Sequence, residues 1–212
     1  MPSQPPLIAT LSAILTATSD STMLHPRLVD GGVAWHKTDT QLVLKDEEGQ
    51  HVITPLKAYG YILANELLTR GHTYHIHGPV GVDLEDGAAF VRHSVLTQSL
   101  VSVEPPQPAD LAGKAMLSSV GKVLRVTLDN ANKEAQWHFT VQAEHEVFEP
   151  EGGRSLRFPI TYRFGYFSPE LSDIRNIAVN TVMWFQGLVV SKDDQSKQLI
   201  IQVLHHGVVV AE

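Results

Sequence analysis

The sequence contains no cysteine, little positive charge and no apolar run of the roughly 20 residues that a membrane helix needs. Without cysteine there are no disulfides, no thiolate metal ligands and no cysteine nucleophile. The absence fits a reducing compartment, so we expect a cytoplasmic or nuclear protein without membrane association. Lys and Arg number 16 against 23 Asp and Glu, giving a net charge of −7. That balance argues against a protein that coats nucleic acid by bulk charge.

What is present is enough apolar material for a folded core. The chain has 212 residues, of which 43% are hydrophobic and 18% charged, so disorder is excluded. The apolar run at residues 7–15 has no Lys or Arg before it, unlike a secretory signal. We therefore expect this run to be the first strand.

A proline cluster marks the clearest boundary in the chain. Pro105, Pro106 and Pro108 fall within residues 104–110, and proline disfavours helix interiors and cannot donate a hydrogen bond to a sheet. The cluster predicts a stiff linker over 104–110. It would separate a domain at 1–103 from a second domain at 111–212.

The two halves of the sequence repeat when the chain is shifted by 109 residues. Gly78 then falls on Gly187, and the apolar positions at both ends of the unit keep their register. Alternating strands match one another easily, but the coincident glycines favour an internal repeat. The long period indicates two copies of a whole domain.

Alternating apolar and polar residues predict mainly β structure. In the first half we expect strands at 7–18, 33–45 and 50–56, a helix at 59–70 that Gly71 ends, and a hairpin of 73–82 with 89–98. In the second half we expect strands at 115–127, 136–148 and 154–166, a helix from Ser168 to Asn180, and strands at 181–191 and 198–210.

This element order has a familiar counterpart. The segments GHTYHIHGPV (71–80) and TVMWFQGLVV (181–190) resemble the fourth strand of OB domains in single-strand-binding proteins. The chain as a whole resembles tandem OB-fold proteins of the replication-protein-A and telomere-end-binding type. The resemblance implies two consecutive five-stranded Greek-key barrels, each with one short helix between strands three and four. The alternative is a pair of β-sandwich or other small-barrel domains.

The resemblance also implies binding to single-stranded nucleic acid, which requires aromatic faces and cations on the exposed side of strands two and three. Residues 106–212 carry ten Lys and Arg against twelve acidic residues, whereas residues 1–105 carry six against eleven. The second half is therefore the expected main contact surface. The expected contact residues are Arg125, Trp137, His138, Arg154, Arg157, Arg163 and Trp184.

A purely structural interpretation competes with this one. Trp137, Phe139, Phe158, Tyr162 and Phe164 share the apolar phase of their strands, which favours a place in the core. The arginines would then be solvated, with Glu144 and Glu146 as partners.

The sequence favours neither a metal site nor an enzyme. His72, His75 and His77 lie close together, but they form no recognised ligand spacing and fit the polar face of a hairpin better. No nucleophile elbow or glycine-rich phosphate loop is present. We expect no catalytic activity and no cofactor.

Protein partners are the second possibility. Trp184 lies out of phase with its apolar neighbours, as does Trp35, and exposed tryptophans are favoured interface anchors. The C-terminal strand stays apolar through Val210, and such an edge invites pairing with another chain. The alternative function is a self-assembling or scaffold β-protein, with homo-oligomerisation expected.

Overall fold

The computed structural model describes residues 5–26, 30–45, 49–83, 87–129, 138–164, 177–193 and 195–209. Its strands are β1 (Ala9–Ala17), β2 (Thr22–Met23), β3 (Val33–Lys45), β4 (His51–Leu63), β5 (Thr73–Val82), β6 (Ala89–His93), β7 (Gln98–Ser102), β8 (Met116–Asp129), β9 (His138–Glu149), β10 (Arg154–Phe164), β11 (Val182–Lys192) and β12 (Leu199–Val208). The helical elements are two single 3₁₀ turns, Ala64–Glu66 and Val95–Thr97, and the short helix α1 (Pro108–Leu111). No helix in these described ranges is long and apolar enough to cross a membrane.

Five strands of the first half close into a barrel. β1 pairs with β3, β3 with β4, and β5 with both β6 and β1, all antiparallel. β4 pairs with β6 in the parallel direction, which closes the ring. This circular order of five strands is that of an OB fold, so the predicted mainly β, OB-type architecture is confirmed.

The five long strands of the second half pair in the same circular order. β8 pairs with β9 and β9 with β10, while β11 pairs with β12 and with β8. The parallel pair is β10 with β12. Phe139, Phe158, Tyr162 and Phe164 are all buried inside this ring, as their phase in the sequence predicts.

The first strands of the two halves join them into one sheet. β1 and β8 are antiparallel, and Leu11 lies opposite Leu117. Within its own half each leucine also lies opposite a glycine, Leu11 opposite Gly78 and Leu117 opposite Gly187. Equivalent residues of the two halves therefore face each other across the junction.

That pairing corrects the register of the sequence comparison. Gly78 and Gly187 are 109 residues apart, but their partners Leu11 and Leu117 are 106 apart. A shift of 109 therefore misaligns the first strands by three residues. Because an odd offset moves every residue of a strand to the opposite face, the shift of 109 matches the buried Leu11 with Val120, which is only half-buried.

The helix expected at 59–70 is wrong. β4 continues through Leu63 and pairs residue by residue with β3, ending with Val33 opposite Leu63. Only the 3₁₀ turn Ala64–Glu66 follows. The local sequence pattern suits a helix or a strand, and pairing with β3 decides in favour of the strand. Gly71 does adopt the left-handed backbone expected of it, with φ of +83°, but it lies at the end of a loop and not at the end of a helix.

The predicted linker and the second predicted helix can be compared with the structure only in part. Residues 108–111 form the short helix α1 inside the predicted linker, because proline is compatible with the first position of a helix. The helix expected from Ser168 to Asn180 lies mostly outside the described residues, and residues 177–180 are not helical.

Candidate nucleic-acid interface

The outer surface of β9 and β10 is the face on which the sequence predicted most of the contacts. The two strands pair along their whole length, with Arg163 opposite Thr140 and Arg157 opposite Glu146. Tyr162 and Phe164 point into the core, so Arg163 between them points outward. Arg125 lies on the adjoining strand β8, opposite Gln142. The structure therefore brings Arg125, Arg157 and Arg163 onto one three-stranded surface.

At one end of this surface the positive charge is offset. The Nε atom of Arg157 lies 3.3 Å from Glu146 Oε2, and its Nη1 lies 3.9 Å from Glu144 Oε1. Its side chain is 68% exposed, so these are solvent-screened pairs of small energy. The competing interpretation, arginines partnered by Glu144 and Glu146, holds for Arg157.

The other end adjoins the turn between β11 and β12. Gln198 follows that turn, and its Oε1 accepts hydrogen bonds from Thr161 Oγ1 at 2.7 Å and Gln142 Nε2 at 3.3 Å. These bonds attach the turn to β9 and β10 beside Arg163. Backbone and side-chain hydrogen bonds from Ser196 are the main reason that the pKa of Asp193 is lowered, and the charge of Arg163 adds to them. Arg163 is therefore near enough to the carboxylate of Asp193 for the two charges to interact.

Arg154 serves a different purpose from the one predicted. Its Nη2 lies 3.1 Å from Asp83 Oδ2 in the first half of the chain. The two residues form an ion pair between the halves. Arg154 is thereby directed away from the surface that carries Arg125 and Arg163.

Of the predicted aromatic contacts, only Trp184 has a described side chain, and it is not gathered with the arginines. Trp184 is 40% exposed, as expected, but it lies on β11 between Val120 of β8 and Gly207 of β12. The indole packs over Gly207, where a side chain would collide with it. Trp137 lies outside the described residues, and of His138 only the backbone, at the start of β9, is described.

A second aromatic and cationic surface lies in the first half of the chain, the half without the expected main contact surface. On the outer side of β3 and β4, Trp35 is opposite Tyr61 and Lys37 is opposite Tyr59. The Trp35 and Tyr61 rings are 5.2 Å apart. Alternation along β3 puts Trp35 and Lys37 on one face, so the sequence held this signal. Trp35 is only half-buried, in partial agreement with its expected exposure.

The turn between β9 and β10 closes over this second surface. Lys37 Nζ lies 2.9 and 3.1 Å from the two oxygens of Glu151, and Tyr59 OH donates to Glu151 Oε2 at 2.7 Å. Lys57 Nζ lies 4.0 Å from the same oxygen. Burial alone would raise the pKa of Glu151, but hydrogen bonds from Tyr59 and Lys37 and the lysine charges lower it overall. Glu151 is therefore held as a carboxylate.

Three histidines are buried rather than placed on polar faces. His36, His93 and His145 are buried, whereas His75 and His77 are exposed on one face of β5. Burial lowers the pKa of His93 to about 4 and that of His145 to about 3. Within the part of the chain that the structure describes, no three His, Asp or Glu side chains form a group that could hold a metal ion.

Comparisons with known proteins give a fold. No protein-family model matches the sequence, and no curated protein matches it. A deletion mutant of the single-stranded DNA binding protein from Thermus aquaticus is similar in structure, with a TM-score of 0.56 and 17% identity, over 98% of this chain and 97% of that one. The wild-type form of that protein gives 0.55 and 15%, over 97% and 95%. At this identity the likeness supports the OB fold and leaves function to the chemistry of the surface.

Proposed function

We propose that this chain is a non-enzymatic tandem OB-fold protein that binds single-stranded DNA, mainly through its second half. The observation that carries the proposal is the position of Arg125 and Arg163 on β8 to β10, beside the turn between β11 and β12. OB folds bind oligonucleotides on the face of strands two and three and in the adjoining loops. The structural neighbour from Thermus aquaticus is a single-stranded DNA binding protein, which supports the same function.

A local patch must supply the affinity, because the net charge of −7 repels a polyanion at long range. Arg125 and Arg163 would contact phosphates. Arg157, already offset by Glu144 and Glu146, would contribute less. Bases would stack on aromatic rings, for which the candidates are Trp137, His138 and Trp184, and stacking is worth about 1–3 kcal/mol per base.

The proposal includes the domain division. Residues 1–103 and 111–212 would each form an OB barrel, joined by 104–110, and the identical circular order of strands in the two halves supports this. The pairing of Leu11 with Leu117 supports an internal repeat. Likeness to the replication-protein-A and telomere-end-binding type, and a cytoplasmic or nuclear location, remain predictions.

The test compares single and double strands of the same sequence. A labelled oligonucleotide of about 30 nucleotides can occupy two OB folds at up to about 16 nucleotides each. Fluorescence anisotropy should show binding of the single strand at low salt and much weaker binding of the duplex. Equal binding of both forms would contradict recognition through unstacked bases.

Matched variants locate the surface. Arg163→Gln and Arg125→Gln should each weaken binding and flatten the salt dependence by about 0.7 in the slope of log K against log salt. Arg157→Gln removes the same formal charge beside Glu144 and Glu146, so its effect should be smaller than that of Arg125→Gln. Equal effects of the three substitutions would favour a diffuse charge contribution.

Self-association is the second candidate function, and β7 is the observation that favours it. β7 pairs only with β5 among the described strands, so its other edge is free of a strand. Leu96, Leu100 and Val101 on and beside it are exposed, and such an edge is a template for pairing with a second copy. Sedimentation velocity should show dimers that Leu100→Lys weakens. A monomer at all concentrations would exclude this function.

A further inference from the structure

The outer face of β3 and β4 holds a cluster of donors directed at one negative group. Lys37 Nζ, Lys57 Nζ and Tyr59 OH converge on the carboxylate of Glu151. All three donors belong to the first half of the chain, whereas Glu151 belongs to the second. The carboxylate therefore occupies a position where the first half alone would present two cations and a hydroxyl.

Three hydrogen bonds hold the turn that carries Glu151. Both oxygens of the buried Glu149 side chain accept backbone N–H groups of the turn, from Glu151 at 2.6 Å and from Gly152 at 2.7 Å. The carbonyl oxygen of Pro150 is hydrogen-bonded by His25 Nε2 at 2.9 Å. These hydrogen bonds thus position the turn so that the Glu151 side chain reaches Lys37.

The residues around the Glu151 carboxylate are of the types that bind a nucleotide. Lys37, Lys57 and Tyr59 line a cleft of about 410 Å³. Two other carboxylates line it as well, but Asp83 is paired with Arg154 and both oxygens of Glu149 accept backbone N–H groups. The Trp35 and Tyr61 rings lie on the next cross-strand pair of the same face. Cations for the backbone beside aromatic rings for the bases are what single-strand binding requires. A phosphate has the charge and the acceptor oxygens of the carboxylate that is now there.

We propose that the face of β3 and β4 is a second phosphodiester-binding site, and that Glu151 occupies it as a built-in competitor. The inference rests on the proposed function, because it assigns single-stranded nucleic acid to the first half as well. With Glu151 in place the second half dominates binding. When a strand displaces Glu151, Lys37 and Lys57 contact its phosphates, and Trp35 and Tyr61 lie beside its bases.

The experiment uses the full chain with Glu151→Gln, which keeps the shape of the side chain and removes its charge. Salt-dependent binding of a labelled thymidine oligonucleotide should tighten, and the slope of log K against log salt should steepen by about 1.4, from two further contacts at about 0.7 each. Adding Lys37→Gln and Lys57→Gln to this variant should reverse both changes. Asp110→Asn, exposed in α1, makes the same change in net charge away from the site and should alter neither quantity.

A second measurement separates the site from the proposed function. Inorganic phosphate, titrated in a phosphate-free buffer, should shift the NMR signals of Lys37, Lys57 and Tyr59 in the Glu151→Gln protein and much less in the wild type. If these signals shift but neither protein binds the oligonucleotide, the anion site stands and the proposed function fails. If Glu151→Gln lowers the melting temperature while strand affinity, salt slope and phosphate response stay unchanged, the contact is only a structural ion pair. That result overturns the inference.

Discussion

Two glycines at matching places in the two halves show how single residues constrain this fold. A Cβ on Gly78 would collide with the carbonyl oxygen of Arg92, and one on Gly187 with that of Gln202. In each half the obstacle is backbone of the neighbouring strand, which cannot rotate away as a side chain can. The glycine that the sequence comparison picked out therefore has a steric reason in both halves.

Gly78→Ala and Gly187→Ala should each lower the free energy of unfolding by about 3 kcal/mol, because overpacking against backbone forces the strands apart. Gly71→Ala is the control: its Cβ meets open space and only the left-handed φ of +83° opposes it, at a cost of about 1 kcal/mol. Urea denaturation measures all three. Equal losses would mean that close packing at Gly78 and Gly187 does not matter.

Buried histidines make stability depend on pH. Burial lowers the folded-state pKa of His93 to about 4 and that of His145 to about 3, from about 6.5 in the unfolded chain. The unfolded state binds more protons in this interval, so stability is complete above pH 6.5 and falls as pH falls toward the folded-state pKa. Each of the two buried histidines should lower the free energy of unfolding by about 2 kcal/mol between pH 6.5 and pH 5.

Urea denaturation of the wild type and of His145→Gln at pH 6.5 and pH 5 separates the effect of the buried histidine on stability from that of the carboxylates. The variant should lose less stability on acidification than the wild type does. His77→Gln, at an exposed position of β5, is the matched control and should behave as the wild type. An unchanged acid sensitivity in His145→Gln would refute the assignment.

At the scale of elements, a buried hydrogen-bonded chain links three strands of the second half. Tyr162 OH on β10 lies 2.7 Å from Ser119 Oγ on β8 and 3.1 Å from His145 Nε2 on β9. All three side chains are buried. Burial raises the pKa of Tyr162, so the hydroxyl keeps its proton for this chain.

Tyr162→Phe should destabilise the protein by about 1–3 kcal/mol, because it leaves Ser119 and His145 without that buried partner. Tyr61→Phe, on the exposed outer side of β4, should change stability by less than about 0.5 kcal/mol. Thermal melts of both variants give the comparison. Similar effects of the two substitutions would mean that the chain contributes no net stability.

Strands with alternating apolar and polar residues were predictable from the sequence, and features set by contacts between residues distant in the sequence were not. β3 has the predicted bounds, because its period-two pattern is unbroken. The local sequence of 59–63 suits a helix as well as a strand, and only its pairing with β3 identifies it as a strand. Arg157 and Arg163 were correctly placed outward, whereas the ion pair of Arg154 with Asp83 joins residues 71 positions apart.

At the scale of the molecule, we expect the two halves to unfold together, because three sets of contacts join them. β1 pairs with β8, Arg154 with Asp83, and Glu151 with Lys37. Gly78→Ala and Gly187→Ala lie in different halves, yet both should lower one common transition in differential scanning calorimetry. Two separated transitions, each sensitive to only one substitution, would show independent domains.

The central claim concerns Arg125 and Arg163 on an otherwise acidic molecule. The measurement that tests it most directly is the affinity for a labelled single-stranded thymidine oligonucleotide at a series of salt concentrations. Two phosphate contacts at about 0.7 each predict a slope of log K against log salt near −1.4, and the Arg125→Gln, Arg163→Gln double variant should bring it near zero. No binding at the lowest salt, or a slope that the double variant leaves unchanged, would contradict single-strand binding through this surface.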